Sequence, residues 1–214
     1  MRIRARYWGL GTLLALGAAS MLLAALPSSA NRGKGHDKQG TKSGAMHVRW
    51  DIISLAGGNP PGPVTAGGSA SASAPNGGDT ITLTGTGTFV APAGSNGGSG
   101  AVTGGGTWHT SSGAGGTYDV RELVSFVFAN FQAATPPLTD NIGSSGERAN
   151  GTAVMRVRFS DGSSGVLTVG CHGPGAPNGI FEGIAVTKGY LTYYTVAAPT
   201  GGVDANRTIF HVRR

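Results

Sequence analysis

Polar and apolar residues alternate with a period of two along several short segments of the chain, most clearly from Thr80 to Phe89. Threonine occupies every second position there, and Ile81, Leu83 and two glycines occupy positions between the threonines. Successive side chains of a strand point to opposite faces, so this pattern predicts a sheet with one solvated face and one packed face. Similar segments predict strands at 46–55, 80–90, 99–109, 116–128, 152–159, 165–172, 179–188, 190–196 and 207–213.

The connections between these segments include one hairpin and two long loops. In "MRVRFSDGSSGVLTV", two alternating runs meet at Asp161-Gly162, which is a favoured pair for a tight turn. The segment 56–78 is rich in glycine, serine, alanine and proline and predicts a long loop. The connection 129–151 predicts either a lid or a disordered insertion, part of which should pack through Phe131, Leu138 and Ile142.

Glycine is abundant, with 39 residues, but it shows no collagen period. Glycines inside neighbouring strands mark bends or close backbone approach, which a strongly curved sheet needs. The chain is therefore predicted to be all-β, and two architectures are consistent with its short strands: a closed antiparallel barrel and a β-sandwich.

Two sequence stretches resemble known barrels. "GIFEGIAVTKGYLTYY" and "TGTGTF" resemble the glycine-and-aromatic pattern of allene oxide cyclase and dirigent-type barrels. The stretch from Thr80 to the C-terminal "DANRTIFHV" resembles a group of uncharacterised secreted bacterial β-proteins. The resemblance implies a barrel in preference to a sandwich, so we predict an antiparallel up-and-down β-barrel of about eight strands, with a β-sandwich as the alternative. The resemblance carries over no catalytic residue.

The first thirty residues have the pattern of an export signal. A start with three arginines at 2–6 precedes an uncharged apolar run at 10–26, and Ser28 and Ala30 provide the small residues before a cleavage site. We therefore expect a signal peptide at 1–30, cleavage after Ala30, a secreted or extracytoplasmic protein, and no transmembrane segment in the mature chain. A retained membrane anchor is the alternative.

Charge excludes one class of partner. The net charge is +6, from 16 Lys+Arg and 10 Asp+Glu, but from His47 onward we count nine basic and nine acidic residues. A nucleic-acid-binding domain should have a basic face, so no nucleic-acid partner is expected. The composition of the basic leader at 31–46 predicts a solvated, disordered tail. A weak attraction of this tail to anionic cell-surface polymers is the alternative. The remaining chain, 47–214, has the length of a single β domain.

Cys171 is the chain's one cysteine, so it has no internal disulfide partner. Alternation along its strand places it on the same face as Leu167 and Val169, and places His172 on the opposite face. We therefore predict a buried, unreactive thiol. The histidines show no ligand spacing, so neither a metal nor another cofactor is predicted, although His47, His109, His172 and His211 are available.

Two glutamates interrupt apolar rows and are the candidate catalytic residues. Alternation places Glu122 and Glu182 among apolar residues that share a face. A buried, unpaired carboxyl group has a raised pKa and can act as a general acid or base near neutral pH. The alternatives are a bulge that changes the phase, a loop that covers an outward row, or neutralisation by Arg121, Arg156 or Arg158.

Aromatic residues provide candidate ligand contacts. Small barrels fill their interiors with side chains, but glycines beside the rings leave space for a ligand. The candidates to line a ligand cavity are Trp50, Phe89, Trp108, Tyr118 and Tyr190.

Three functions are consistent with these features. The first is a non-enzymatic exported barrel that binds a small hydrophobic ligand or associates with the cell envelope. The second is a barrel isomerase or cyclase that acts on a hydrophobic small molecule through Glu122 and Glu182. The third is a structural surface protein. The oligomeric state is left open.

Overall fold

The computed structural model describes residues 44–55, 62–75, 78–92, 99–133, 138–198 and 206–214. The expected signal peptide and most of the basic leader lie outside these residues. No helix in the described ranges is long and apolar enough to cross a membrane.

The described residues form thirteen strands that belong to one hydrogen-bonded sheet. A 3₁₀ turn at Ser145–Glu147 precedes the eighth strand. The strands in chain order are β1 Met46–Leu55, β2 Val64–Ala66, β3 Ala70–Ser73, β4 Thr80–Leu83, β5 Thr86–Ala91, β6 Val102–Thr110, β7 Gly115–Phe131, β8 Arg148–Phe159, β9 Ser164–Cys171, β10 Gly183–Lys188, β11 Leu191–Tyr193, β12 Thr195–Val196 and β13 Arg207–Arg213.

Six of these strands close a barrel in the order β1-β5-β6-β7-β8-β13, with β13 pairing back to β1. All neighbours in the ring are antiparallel. The six ring strands follow the order of the chain, with the outer strands β2–β4 inserted after β1 and β9–β12 inserted after β8. The predicted all-β antiparallel barrel is therefore confirmed. Its ring holds six strands, fewer than the predicted number of about eight, because the remaining strands extend the sheet outside the ring.

Two long strands each pair, along one edge, with a strand of the ring and then with a strand outside the ring. β8 pairs with β13 at Arg148 and Ala149, and with β9 from Gly151 to Arg158. β6 likewise pairs with β5 along its first half and with β4 along its second half. The sheet then continues outward through β9-β10-β11 on one side and β4-β3-β12 on the other.

The segment predicted as one strand at 80–90 is bent into β4 and β5. The break falls at Thr84 and Gly85, and the alternation continues across it, with Ile81, Leu83 and Phe89 buried. The threonines face outward as predicted, and four hydroxyl pairs join this segment to its neighbours: Ser71–Thr82, Ser73–Thr80, Thr84–Thr107 and Thr88–Thr103.

The predicted loop at 56–78 contains two strands, β2 and β3, which corrects that prediction. Ala70 and Ala72 are buried, and Ser71 and Ser73 alternate with them. Such small residues give only a weak apolar signal, and pairing with β4 makes them a strand. The Asp161-Gly162 hairpin between β8 and β9 is confirmed.

The connection predicted at 129–151 is shorter than expected, because β7 continues to Phe131 and β8 begins at Arg148. Its described part at 138–147, here called the strap, lies on the outer face of the barrel. Leu138 and Ile142 pack there against a small outer cluster of Ile53, Val64 and Ile209. The prediction that these two residues pack is therefore confirmed.

Candidate functional site

Glu122 lies at the surface of the barrel, half-buried, and does not line its interior. The register between β7 and β8 shifts between Val120 and Glu122, which turns the glutamate outward and brings Leu123 into the core. Arg156 on β8 lies opposite, and its Nε is 2.7 Å from Glu122 Oε2. Two of the alternatives weighed from the sequence, a bulge and neutralisation by arginine, are thus both present.

Glu182 lies just before β10 and is partly buried. Its two carboxyl oxygens accept hydrogen bonds from the backbone N–H groups of His172 and Thr208. Desolvation raises the pKa of Glu182 to about 7, although these hydrogen bonds and the charge of Arg207 oppose the rise. The rise has the direction expected of a desolvated carboxyl group, but Glu182 is paired with two backbone amides and is not unpaired as the prediction assumed. Glu122 and Glu182 have separate partners on different strands and do not form one site.

The aromatic candidates fill the barrel or face solvent. Trp50, Phe89, Trp108 and Tyr118 are buried in the main core. A side chain at Gly85 would overlap the Tyr118 hydroxyl and press against the Trp50 ring. The space beside this glycine is therefore already occupied by aromatic groups. Tyr190 lies at the β10–β11 turn and is 95% exposed.

Cys171 is buried beside Leu167 and Val169, as the alternation predicts. Its thiol donates to the Thr208 carbonyl oxygen and accepts a hydrogen bond from Gln132. Burial, with the nearby Glu182 charge, raises the pKa of this thiol well above its ordinary value. Among the described residues, no three His, Cys, Asp or Glu side chains cluster as a metal site.

A groove of about 580 Å³ crosses the outer face of the barrel. Strand register aligns one row of its floor: Arg49 on β1 lies between His211 on β13 and Thr88 on β5, and Thr88 pairs with Thr103 on β6. These residues and the strap residues described next define the outer groove.

A second row completes the floor, and the strap forms one wall. His47 on β1 lies between Arg213 on β13 and Val90 on β5. On the strap, Ile142, Gly143 and Glu147 line the groove. The lining therefore combines apolar surface with four basic side chains and one acidic one: His47, Arg49, His211, Arg213 and Glu147.

Two carboxylates, one buried and one at the groove wall, hold the two arginines in place. Asp51 is fully buried, and it accepts two hydrogen bonds from Arg49, at 2.8 and 2.9 Å, and one from Thr86 at 2.6 Å. The hydrogen bond to Asp51 is the main cause that raises the pKa of Arg49. Arg213 is 71% exposed, and its Nε donates to both oxygens of Glu147 at 3.0 Å.

Asp140 and His211 form a buried pair at the strap end of the groove. Asp140 Oδ2 is 2.9 Å from His211 Nε2 and 3.9 Å from Arg148 Nε, and its other oxygen accepts the N–H groups of Ile142 and Gly143. Desolvation raises the pKa of Asp140, but the hydrogen bonds from His211 and the two amides outweigh it and hold that pKa below its ordinary value.

Sequence reasoning missed this groove. A signal was present for one pair, because Arg49 and Asp51 lie two residues apart on one face of a strand. No local pattern links Asp140 to His211, which is 71 residues further along the chain.

Comparison with known proteins assigns no family, since no protein-family model, curated protein or solved structure matches the chain. The resemblance to allene oxide cyclase and dirigent-type barrels stays a prediction. Function is therefore inferred from the groove and the side chains around it.

Proposed function

We propose that this chain is an exported β-barrel protein that binds a small organic anion in the outer groove without catalysing a reaction. One observation carries the proposal: cationic groups face the groove while their carboxylate partners lie beneath or beside them. Asp51 is fully buried, whereas the Arg49 side chain that it orients is 42% exposed.

Guanidinium chemistry determines the class of ligand. A planar guanidinium binds a carboxylate or phosphate through parallel hydrogen bonds, and it binds best when its position is already set. Arg49 is held by Asp51, so little side-chain freedom is lost when an anion binds. Arg213 and His47 add basic groups in the neighbouring row.

The remaining surface suits an apolar body attached to the anionic group. Val90, Ala101 and Ile142 contribute apolar surface to the groove. A volume of about 580 Å³ is within the range of small-molecule sites, roughly 300–1,000 Å³. An organic acid with a ring or a short chain has this combination of properties.

The positions of the two glutamates favour a binding function over a catalytic one. The isomerase or cyclase predicted from the sequence would use Glu122 and Glu182 together at one cavity. Glu122 is engaged by Arg156, and Glu182 by two backbone amides.

The test is an NMR titration of the ¹⁵N-labelled protein with benzoate. We expect amide shift changes at residues 47–49, 88–90, 101–103, 142–147 and 211–213, which surround the groove. Arg213→Gln should weaken binding roughly fivefold, since it removes one exposed charge.

Arg158→Gln is the matched control. Arg158 lies outside the outer groove, in a second pocket with Arg121 and Arg156, so its loss should leave benzoate affinity unchanged. No shift changes, or changes confined to the surface around Arg158, would contradict the proposal.

A further inference from the structure

His211 has one ring nitrogen without a partner. The residue is 3% exposed, and its Nδ1 has no hydrogen-bonding partner in the described part of the chain. Buried polar atoms in folded proteins are nearly always paired, so an unpaired one calls for an explanation, such as a water molecule or a ligand group that completes it. His211 also lines the outer groove.

Asp140 determines the chemical character of that nitrogen. A carboxylate only accepts hydrogen bonds, so the His211 Nε2 that faces Asp140 at 2.9 Å carries the proton. In the neutral ring, Nδ1 then has a free lone pair and is an acceptor. Asp140 is itself fixed by two strap amides, so the ring orientation is set before any ligand arrives.

The surroundings of the ring leave Nδ1 on the edge away from the strap. A Cβ at Gly143 would lie 2.5 Å from Cδ2 and 2.9 Å from both Cγ and Nε2, so the strap lies against the Cδ2 corner of the ring. Arg49 lies opposite His211 in the strand register, which places the anion-binding guanidinium in the next position of the same row.

We propose that Nδ1 of His211 accepts a hydrogen bond from a hydroxyl group of the ligand, so that the ligand is a hydroxylated organic acid. The proposal rests on the function proposed above and adds the second recognition group. Arg49 and Arg213 bind the acid, and His211 selects the hydroxyl group. Nδ1 is enclosed in this structure, so the proposal requires the side chains around His211 to make room for the hydroxyl group.

The probes are benzoate, the three hydroxybenzoates and the three methoxybenzoates. All seven carry the same carboxylate on a benzene ring, and only the hydroxybenzoates add a hydrogen-bond donor. Titrations use the full chain at pH 7, with the imidazole nitrogens of His211 followed by ¹⁵N NMR. We expect one hydroxybenzoate to bind about tenfold more tightly than benzoate and its methoxy analogue. The Nδ1 signal should move with that probe alone.

The outcomes separate this inference from the proposed function. Equal affinity for all seven probes with an unmoved Nδ1 signal would overturn the role of His211 and leave the anion groove standing. Absence of binding by every probe would overturn both. His211→Phe should abolish the hydroxyl preference, and the nitrogen signal of the unmodified protein decides the matter if that variant does not fold.

Discussion

Glu182 and Cys171 lie close together, since both form hydrogen bonds with the backbone of Thr208. Desolvation raises the pKa of each group, and the charge of Glu182 raises the pKa of the Cys171 thiol further. An uncharged thiol is a poor nucleophile, so Cys171 contributes packing at this position. Glu182 is different, because its pKa of about 7 lies within the physiological range.

Glu182→Gln tests this environment. The pKa of Glu182 rises from 4.5 to about 7 on folding, so the folded protein retains a proton that the unfolded chain releases. Wild-type stability should therefore fall as pH rises from about 4.5 to about 7, by on the order of 3 kcal/mol, and then level off. The glutamine variant cannot ionise and therefore lacks this fall. In urea melts, the unfolding free energy of the variant minus that of the wild type should increase by the same amount from pH 4 to pH 8.

Glu122→Gln makes the same chemical change at a surface ion pair. Because Glu122 and Arg156 are both substantially exposed, this control should change the unfolding free energy by less than about 1 kcal/mol. Parallel stability curves for wild type and Glu182→Gln across the pH range would rule out the buried-carboxyl environment.

At the scale of elements, the strap is held by backbone pairing, packing and charge together. Asn141 N–H donates to the Val64 carbonyl, and Val64 N–H donates to Thr139. Leu138 and Ile142 cover the outer cluster, and Asp140 joins the strap to β13 and β8 through His211 and Arg148. A connection whose one regular turn is the 3₁₀ turn at Ser145–Glu147 thus forms a wall of the groove.

Asp140→Asn tests the charge that holds the strap. The substituted amide would keep the shape of the side chain but remove the negative charge beside the buried Arg148, so we expect a loss of about 1–3 kcal/mol in unfolding free energy. The amide protons of Val64 and Asn141 should exchange faster with solvent. Because its pKa is held low, Asp140 stabilises the fold above pH about 3.9 and loses this contribution as pH falls through its folded pKa.

Asp119→Asn is the control at a solvent-exposed pair. Asp119 and Arg121 are 68% and 60% exposed, so this substitution should cost less than about 0.5 kcal/mol. Equal effects of the two substitutions would mean that the buried pair does not hold the strap.

At the scale of the whole molecule, the barrel is a packed core and its groove lies outside. Phe126 contacts both Phe89 and Phe210, with ring centroids 5.1 and 5.2 Å apart, so aromatic rings from three strands meet in the interior. Gly85 is at the point where β5 leaves the line of β4, and the Trp50 ring and the Tyr118 hydroxyl lie against it.

Gly85→Ala tests whether the interior is full. The added methyl group would overlap the Tyr118 hydroxyl, which donates to the Thr84 carbonyl, so overpacking should cost about 1–3 kcal/mol in denaturant melts. At Gly100 a methyl group meets nothing within 4 Å, and Gly100→Ala should change stability by less than about 0.5 kcal/mol. A Gly85→Ala variant as stable as wild type would indicate free space inside the barrel.

Strand identity and the buried face could be predicted from the sequence wherever alternation is strong. β1 and β13 have the predicted bounds, and the buried row of Leu167, Val169 and Cys171 follows from period two alone. The alternation failed at Glu122, because a single bulge reverses every side chain beyond it until a second shift restores the phase. Bulges arise from pairing between strands, which no local pattern contains.

The amino-acid sequence by itself determined the all-β class, the antiparallel hairpins and most of the core, because these depend on neighbours within a few residues. Only the tertiary structure decided which six strands close the ring, which strands lie outside it, and where the outer groove forms. The groove joins β1, β5, β6, β13 and the strap, and the pair at its strap end joins Asp140 to His211 across 71 residues. Such contacts depend on strand register and chain closure, so their physical cause lies in the assembled sheet.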